Sequence, residues 1–298
     1  MIECNRGRGG RCDGNVGNLC RAGDYGVIPA MVLAAQLPSP WVSSENLRAM
    51  MTNYALATTG GAVREQGGLT LVNSGVSFSA FNAALLSGPA VERPSDLQAR
   101  LRAAQRYFHS EKMPWSFWMP DEIVAAPVRE SSSVAIRASG LRWVAQHEGM
   151  VAGDLAEPRR ELPALEFRRV FDRVTRAHFA RLSSSVFDLP APISTAVYGQ
   201  QGFWRGTMSA WVGYWNGHAV CCAATEPAAG VIGVYSVATH PSFRGRGFGE
   251  SITRHALCEA RTATGLQPFI LHATRAGQPL YRRLGFRYST RLDVFVST

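Results

Sequence analysis

One stretch of the chain, residues 231–264, reads VIGVYSVATHPSFRGRGFGESITRHALCEARTAT. Its first part is mostly apolar and β-branched, which predicts a strand that ends at Thr239, before a turn at Pro241. A glycine-rich loop follows, and a helix over 247–264 begins at once. Apolar residues recur in this helix at every fourth position: Phe248, Ile252, Ala256 and Ala260. One face of the helix is therefore predicted to pack on a sheet.

The loop between this strand and helix is suited to a phosphate group. A helix N-terminus carries free backbone N–H groups and a partial positive charge, and the loop glycines let a ligand approach the backbone closely. Arg244 and Arg246 add positive charge. The alternative is a tight turn whose glycines only relieve crowding. No Lys-Ser/Thr follows the last glycine, as a Walker loop would require. Arg244 stands where a dinucleotide fingerprint needs a glycine.

The motif Arg244-x-x-Gly247-x-Gly249 and the residues before it, Val237-Ala238-Thr239-His240-Pro241, resemble the acetyl-CoA motif of GNAT acetyltransferases. A second signature of that superfamily follows in the expected order: Leu271-His272-Ala273-Thr274, then Gly277-Gln278-Pro279-Leu280-Tyr281-Arg282-Arg283-Leu284-Gly285-Phe286. The resemblance covers about residues 163–298. It implies an α/β (α+β) protein of the GNAT fold, with a mixed, mostly antiparallel twisted sheet flanked by helices.

The resemblance also implies roles for individual residues. Backbone groups of Val237 and Thr239 would face the pantetheine arm and the acetyl carbonyl, and Tyr281 would protonate the departing thiolate. A phenol with a pKa near 10 is still protonated at neutral pH, so it suits this role. The alternative is that Tyr281 only packs its ring on the sheet. The residues expected to bind acetyl-CoA are Val237, Thr239, Arg244, Gly245, Arg246, Gly247 and Gly249.

The general base is left open by the sequence. Many members of the superfamily place a carboxylate on the strand before the cofactor loop, and residues 231–237 contain none. Glu226, His240 and His272 are possible substitutes, and a water relay is an equal alternative. His240 precedes a proline, where a histidine is more often a turn residue. We therefore assign no base.

The two halves of the chain are joined by a linker-like stretch rich in proline and charge, residues 157–163. Beyond it we expect a helix over 171–187 with Val174, Phe179 and Leu182 facing inward, and a hairpin at Asn216-Gly217. Before it we expect helices over 46–58, 94–107 and, loosely, 123–139. The predicted domains are a poorly ordered extension over 1–42, a degenerate GNAT-like domain over 43–156 and a catalytic GNAT domain over 163–298.

The first half resembles, more loosely, the degenerate half of tandem GNAT proteins. It carries no second Arg/Gln-x-x-Gly-x-Gly motif, yet Gly140-Leu141-Arg142 echoes Gly285-Phe286-Arg287 late in the second half. Such a half would pack on the catalytic half and shape the acceptor cleft. Residues 114–118, Pro-Trp-Ser-Phe-Trp, suggest either a binding groove or a strand of the core, and alternating aromatics favour the core.

Composition narrows the possible partners. The chain has 298 residues and a formal charge of +9, but Lys112 is its only lysine and its arginines form no polybasic run. We therefore expect no nucleic-acid partner. The longest apolar run, residues 27–35, contains Pro29 and is too short to span a bilayer, so neither a membrane anchor nor a signal peptide is expected.

The cysteines point to neither a metal site nor an oxidising compartment. Cys4, Cys12 and Cys20 lack the tight spacing of a zinc site, and no histidine lies near them. Cys221 and Cys222 are adjacent in an apolar stretch and cannot easily pair with one another. Reduced thiols fit a cytoplasmic protein that needs no metal.

Two hypotheses for function follow. The leading one is an enzyme that moves an acetyl group from acetyl-CoA directly to a primary amine, with Tyr281 as general acid. The alternative is a catalytically weak protein that binds CoA or an acyl-CoA and acts as a sensor or interaction protein. The acceptor is left open among small amines, antibiotics, peptide N-termini and lysine side chains, because fold does not specify substrate.

Overall fold

One mixed sheet organises the chain in the computed structural model, which describes residues 38–56 and 58–298. The first half contains α1 (Pro40–Leu56), β1 (Ala62–Gln66), β2 (Leu69–Asn73), β3 (Ala83–Leu86), α2 (Pro94–Glu111), β4 (Ser116–Pro120), α3 (Ala126–Ser131), α4 (Ser133–Ala138) and β5 (Leu141–Ala152). The second half contains β6 (Glu166–Arg169), α5 (Arg173–Val186), α6 (Ala191–Tyr198), β7 (Ser209–Trp215), β8 (His218–Ala228), β9 (Val231–Thr239), α7 (Phe248–Thr264), β10 (Phe269–Ala273), α8 (Gln278–Arg283) and β11 (Arg287–Ser297).

The strands lie in the order β1-β2-β3-β4-β11-β5-β10-β9-β8-β7-β6. Only two neighbouring pairs in this described sheet are parallel, β3 with β4 and β10 with β9. All other pairs are antiparallel. The predicted fold class, a mixed and mostly antiparallel sheet flanked by helices, is confirmed.

The two halves exchange their last strands. β11, from the end of the chain, lies between β4 and β5, and β5 lies between β11 and β10. The described residues all belong to one compact unit. The linker predicted at residues 157–163 therefore separates the two halves along the chain, but both halves contribute strands to one sheet. The domain boundaries themselves stay a prediction.

The sequence echo between the halves has a structural counterpart. Gly140 and Gly285 both have positive φ, +68° and +97°. Gly140 immediately precedes β5, the last strand of the first half, and Gly285 lies two residues before β11, the last strand of the second half. The two strands that follow, β5 and β11, pair with each other in an antiparallel register from Arg287↔Val151 to Ser297↔Leu141. Each glycine supplies the left-handed turn that brings its strand into the sheet.

Several predicted elements are confirmed. Asn216 and Gly217 both have positive φ, +49° and +77°, as a two-residue type I′ hairpin requires, and they join β7 to β8. The four apolar residues spaced along α7 are all buried. The expected helix over 123–139 is instead two short helices, α3 and α4, and α6 was not predicted.

The inward face predicted for α5 is partly wrong. Phe179 and Leu182 are buried, but Val174 is 55% exposed. Val174 lies in the first turn, immediately after the cap formed by Asp172, whose carboxylate accepts a hydrogen bond from the Thr175 N–H at 2.8 Å. The inward position of that turn belongs to Thr175, which is 3% exposed.

The aromatic segment over 114–118 runs into β4 and places its rings on both faces of the sheet. Trp115 and Phe117 are buried and join the core between the sheet, α2, α3 and α4, as predicted. Trp118 points to the opposite face because strand side chains alternate, and there it is only partly buried.

The apolar run over 27–35 and the first three cysteines lie outside the described residues. The predicted extension over 1–42 lies outside them except for its last five residues. At the end of that extension, α1 begins at Pro40, six residues before the start predicted at residue 46. Within residues 38–56 and 58–298, no helix is long and apolar enough to cross a bilayer. Cys221 and Cys222 are free thiols in the core, and burial raises the pKa of each.

His255 makes the stability of the fold sensitive to acid. Its ring stacks on Phe167 at a centroid distance of 4.0 Å and meets Trp211 edge-on at 4.5 Å, and burial lowers its pKa from 6.5 to about 4. The folded state thus prefers the neutral ring. The stabilisation is complete above pH 6.5, the pKa of an unfolded histidine, and is lost as the pH falls towards 4.

His255→Phe is therefore expected to flatten the dependence of unfolding free energy on pH. We expect the loss between pH 7 and 4.5 to be smaller by about 1–2 kcal/mol, a value reduced for the partial exposure of the ring. Urea unfolding at the two pH values measures it. His218→Phe, an exposed position in the β7–β8 hairpin, is the matched control and should keep the wild-type dependence.

Candidate active site

The glycine-rich loop forms an uncapped helix N-terminus. β9 ends at Thr239, a single 3₁₀ turn occupies Pro241–Phe243, and Gly247 is the N-cap residue of α7. Gly245 and Gly247 have φ of +78° and +89°, which non-glycine residues rarely adopt. Because Gly247 has no side chain, the first N–H groups of α7 are left for a ligand.

Next to this loop the sheet opens into a cleft. β9 and β10 pair only from Ile232↔Phe269 to Val234↔Leu271, and beyond that point the two parallel strands separate. On its other side β9 carries a bulge, where the register against β8 shifts between Cys222 and Ala224, and Ser236 has φ of +51°. The separated strands bound a cavity of about 620 Å³.

Most of the residues predicted to bind acetyl-CoA line this cleft. They are Val237, Thr239, Arg244, Gly245, Gly247 and Gly249, and the predicted acid Tyr281 lines it too. Arg246 does not. Its guanidinium lies over the rings of Trp215 and Phe243, 5.6 Å from each centroid. The ring contacts account for its position, so Arg246 has a packing role in this conformation.

Tyr281 is held at the edge of the cleft by its ring. It lies on α8, packs edge-on against Phe286 at 6.0 Å and contacts Gly277, where a Cβ atom would come within 2.9 Å of the ring. Burial raises the pKa of its hydroxyl above the usual 10. The phenol therefore stays protonated throughout the physiological range, which is the state that a proton donor requires.

Two further arginines line the cleft, and the sequence did not single them out. Arg283 is the last residue of α8. Arg160 comes from the linker between the halves, and its guanidinium lies 3.3 Å from the position that a Cβ atom would take at Gly247. Together with Arg244 they give the cleft a positive charge suited to phosphates.

Arg160→Ala is expected to weaken acetyl-CoA binding about three- to tenfold, because an exposed charge beside a phosphate site contributes modestly. The difference from wild type should shrink as salt is raised from 50 to 500 mM. Calorimetric titration at both salt concentrations measures it. Arg159→Ala removes the same charge one residue away, outside the cleft lining, and should leave the affinity unchanged.

Of the three candidate bases, the structure brings one into the cleft. His272 on β10 lines it, and its Nε2 lies 2.8 Å from the Ser43 hydroxyl. Glu226 is buried outside the cleft lining, where it accepts hydrogen bonds from Asn53 and Thr207. The His240 ring accepts a hydrogen bond from the Ser242 N–H at 3.3 Å, so it closes the turn before the loop.

The first half has the same strand arrangement, but its cleft is closed. β3 and β4 are its parallel pair, the counterpart of β9 and β10. Beyond them Val91 pairs with Val124, and hydrogen bonds from the Val91 N–H to Ile123 (2.7 Å) and from the Ala125 N–H to Val91 (3.0 Å) fill the gap. α2 begins with Pro94, and its first turn holds Asp96 against Arg93. The described residues of this half therefore offer no phosphate loop.

An open cleft between two parallel strands, a glycine loop at a helix N-terminus and a buried phenol at its edge make up the candidate site. The family model described as "Acetyltransferase (GNAT) domain" matches residues 207–288, which include the hairpin, the loop and Tyr281. This part of the chain is therefore a GNAT acetyltransferase domain, which supports an acyltransferase. No curated protein matches the sequence.

Solved structures with the same fold span nearly the whole described chain. A GCN5-related N-acetyltransferase from Kribbella flavida has a TM-score of 0.66 at 19% identity, over 90% of this chain and 96% of its own. A GCN5-related N-acetyltransferase from Sphaerobacter thermophilus has 0.53 at 13%, over 88% and 94%. A tandem GNAT protein from the clavulanic acid biosynthesis pathway has 0.53 at 12%, over 88% and 97%. At these identities the likeness concerns the fold alone.

Proposed function

We propose that the protein transfers the acetyl group of acetyl-CoA directly to a primary amine, with Tyr281 as general acid. The observation that carries this proposal is the shared cleft: the uncapped N-terminus of α7 and the buried Tyr281 hydroxyl both border the gap between β9 and β10. A ligand whose phosphates lie on the loop would extend its thioester along β9 towards Tyr281.

Different residues of the cleft have different proposed roles in binding acetyl-CoA. Backbone N–H groups of Gly245, Gly247 and Gly249 would hold the pyrophosphate, and Arg160, Arg244 and Arg283 would complement its charge. The bulge at Ser236 breaks the ladder between β8 and β9, so backbone groups around Val237 are available to the pantetheine arm and the acetyl carbonyl.

The reaction balances without a covalent enzyme intermediate. The amine nitrogen forms a bond to the acetyl carbon while it is unprotonated, and the carbon–sulfur bond then breaks. The sulfur takes its proton from Tyr281, and the proton lost from the nitrogen restores the Tyr281 phenol through solvent. When the amine enters as an ammonium ion, one further proton is released to solvent per turnover.

A CoA-binding protein with weak catalysis is the second candidate. The observation in its favour is that β9 carries no carboxylate and that the buried carboxylate of Glu226 lies outside the cleft lining. The two candidates share the binding site and differ in turnover.

The experiment that tests the proposal has two parts. Acetyl-CoA is titrated calorimetrically into the purified chain, and thiol release is then followed with a panel of primary amines. Saturable binding with amine-dependent thiol release supports the enzyme. Binding without release by any amine favours the second candidate, and no binding at millimolar acetyl-CoA contradicts both.

A further inference from the structure

Four aromatic side chains form a row across the sheet at the end of the cleft away from the loop. They are Trp118 on β4, His147 on β5, His272 on β10 and Tyr235 on β9, and all four line the cleft. His272 pairs with Gly149 in the ladder, so His147 is its diagonal neighbour on the same face. Ring centroids are 5.7 Å apart for Trp118 and His147 and 6.3 Å apart for Tyr235 and His272.

Helix α1 covers this aromatic row from the first half of the chain. Leu47 and Met50 are buried and line the cleft. The Tyr235 hydroxyl donates a hydrogen bond to the Asn46 side chain at 2.7 Å, and Ser43 bonds His272. Apolar side chains of α1 therefore bound the pocket on one side, and the aromatic row bounds it on the other. The first half of the chain supplies α1, Trp118 and His147.

No carboxylate in the described part of the chain lines this end of the cleft. The one acidic residue of the lining, Glu250, belongs to the first turn of α7 and is paired with Arg254 at 2.9 Å. Glu122 lies near α1 but accepts hydrogen bonds from Ser44 and Thr290. A polycationic acceptor would find no counter-charge here, and burying its charges without one is costly.

Two ring nitrogens in the row have no partner among the described residues. The Nδ1 atoms of His147 and His272 are both buried and unbonded. Burial lowers the pKa of both rings, that of His272 to about 3, so both are neutral at pH 7. A neutral imidazole nitrogen that carries no hydrogen can accept a hydrogen bond from an N–H group. With Nε2–H donating to Ser43, the Nδ1 atom of His272 is such an acceptor, and an amine N–H would give it the partner that a buried polar atom needs.

From this pocket we infer that the acceptor is a small apolar primary amine, aromatic rather than polycationic, whose side group packs on Trp118 and Tyr235 and whose unprotonated nitrogen donates hydrogen bonds to His147 and His272. The inference rests on the proposed function and specifies its substrate class. It also assigns a use to the first half of the chain, which would select the acceptor although its own cleft is closed.

The first test measures acceptor binding separately from catalysis. 2-Phenylethylamine and spermidine are titrated into the protein saturated with CoA. Saturable binding of 2-phenylethylamine, at least about tenfold tighter than that of spermidine, is the expected result. Failure of 2-phenylethylamine to bind, or tighter binding of spermidine, overturns the inference even when acetyl-CoA binds normally. Failure of acetyl-CoA itself to bind contradicts the proposed function as well.

The second test uses matched tryptophan variants. Trp118→Ala should raise KM for 2-phenylethylamine about tenfold while the Kd for acetyl-CoA stays within about twofold of wild type. Trp143→Ala is the control because Trp143 is 56% exposed on β5 and lies outside the cleft. Equal KM values for the two variants would overturn the inference.

A third comparison examines the imidazoles. His147→Gln and His272→Gln should each lower kcat/KM for 2-phenylethylamine about tenfold without changing the acetyl-CoA Kd, whereas His218→Gln in the exposed hairpin should not. An unchanged kcat/KM in both cleft variants would overturn the role given to the two rings.

Discussion

Gly247→Glu is expected to abolish measurable acetyl-CoA binding, which corresponds to a loss of more than about 100-fold in affinity. Two effects combine. Gly247 has φ of +89°, where a side chain is strained, and its Cβ atom would come within 3.1 Å of Pro163. The added carboxylate would also stand at the N-terminus of α7, where the pyrophosphate is expected, and would repel it. Calorimetric titration of acetyl-CoA is the measurement.

The control for this variant tests whether the loss of binding depends on where the glutamate is added. Gly265 ends α7 with φ of +69° and has open space around its Cβ position, so Gly265→Glu imposes the same backbone strain and charge at the other end of the same helix. It should bind acetyl-CoA like wild type. Retained affinity in Gly247→Glu would show that the loop is not the phosphate site.

Tyr281→Phe is expected to lower kcat by about 100- to 1000-fold with little change in the Kd for acetyl-CoA. The phenylalanine ring keeps the packing against Phe286 and Gly277, so only the proton donor is removed. Steady-state kinetics with a fixed amine, together with calorimetry, measure the two quantities.

Tyr288→Phe is the matched control for the phenol. Tyr288 lies on β11, seven positions along the chain, and is 58% exposed. Loss of its hydroxyl should leave kcat unchanged. A large loss of acetyl-CoA affinity in Tyr281→Phe, with kcat preserved, would instead assign Tyr281 to binding.

The second half of the chain was the more predictable one, and the reason lies in its local signals. The hairpin at Asn216-Gly217 and the glycine loop before α7 depend on backbone conformations that few residues adopt, so the sequence marks them. The helix α6, which has no strong cap and ends at Tyr198 in a cluster of aromatic rings, was missed because tertiary packing holds it.

Side chains in a local motif were likewise easier to place in the cleft than side chains whose position depends on distant elements. Val237 and Gly247 were identified from one motif and Tyr281 from a second signature, and all three line one cleft. Arg246 belongs to the same motif but lies over Trp215, which comes from a different hairpin. Arg160 lines the cleft from the linker, where nothing in the local sequence distinguishes it from Arg159.

The sequence by itself determined the fold class, through its resemblance to the GNAT acetyltransferases, and the conformation of the glycine loop, because left-handed glycines and an uncapped helix N-terminus are short-range features. The tertiary structure decided the acceptor end. Trp118, His147, Tyr235 and His272 come from four strands of both halves. They come together because β5 and β11 are exchanged between the halves and α1 packs over them. Contacts between residues so distant in the chain leave no local pattern that the sequence could show.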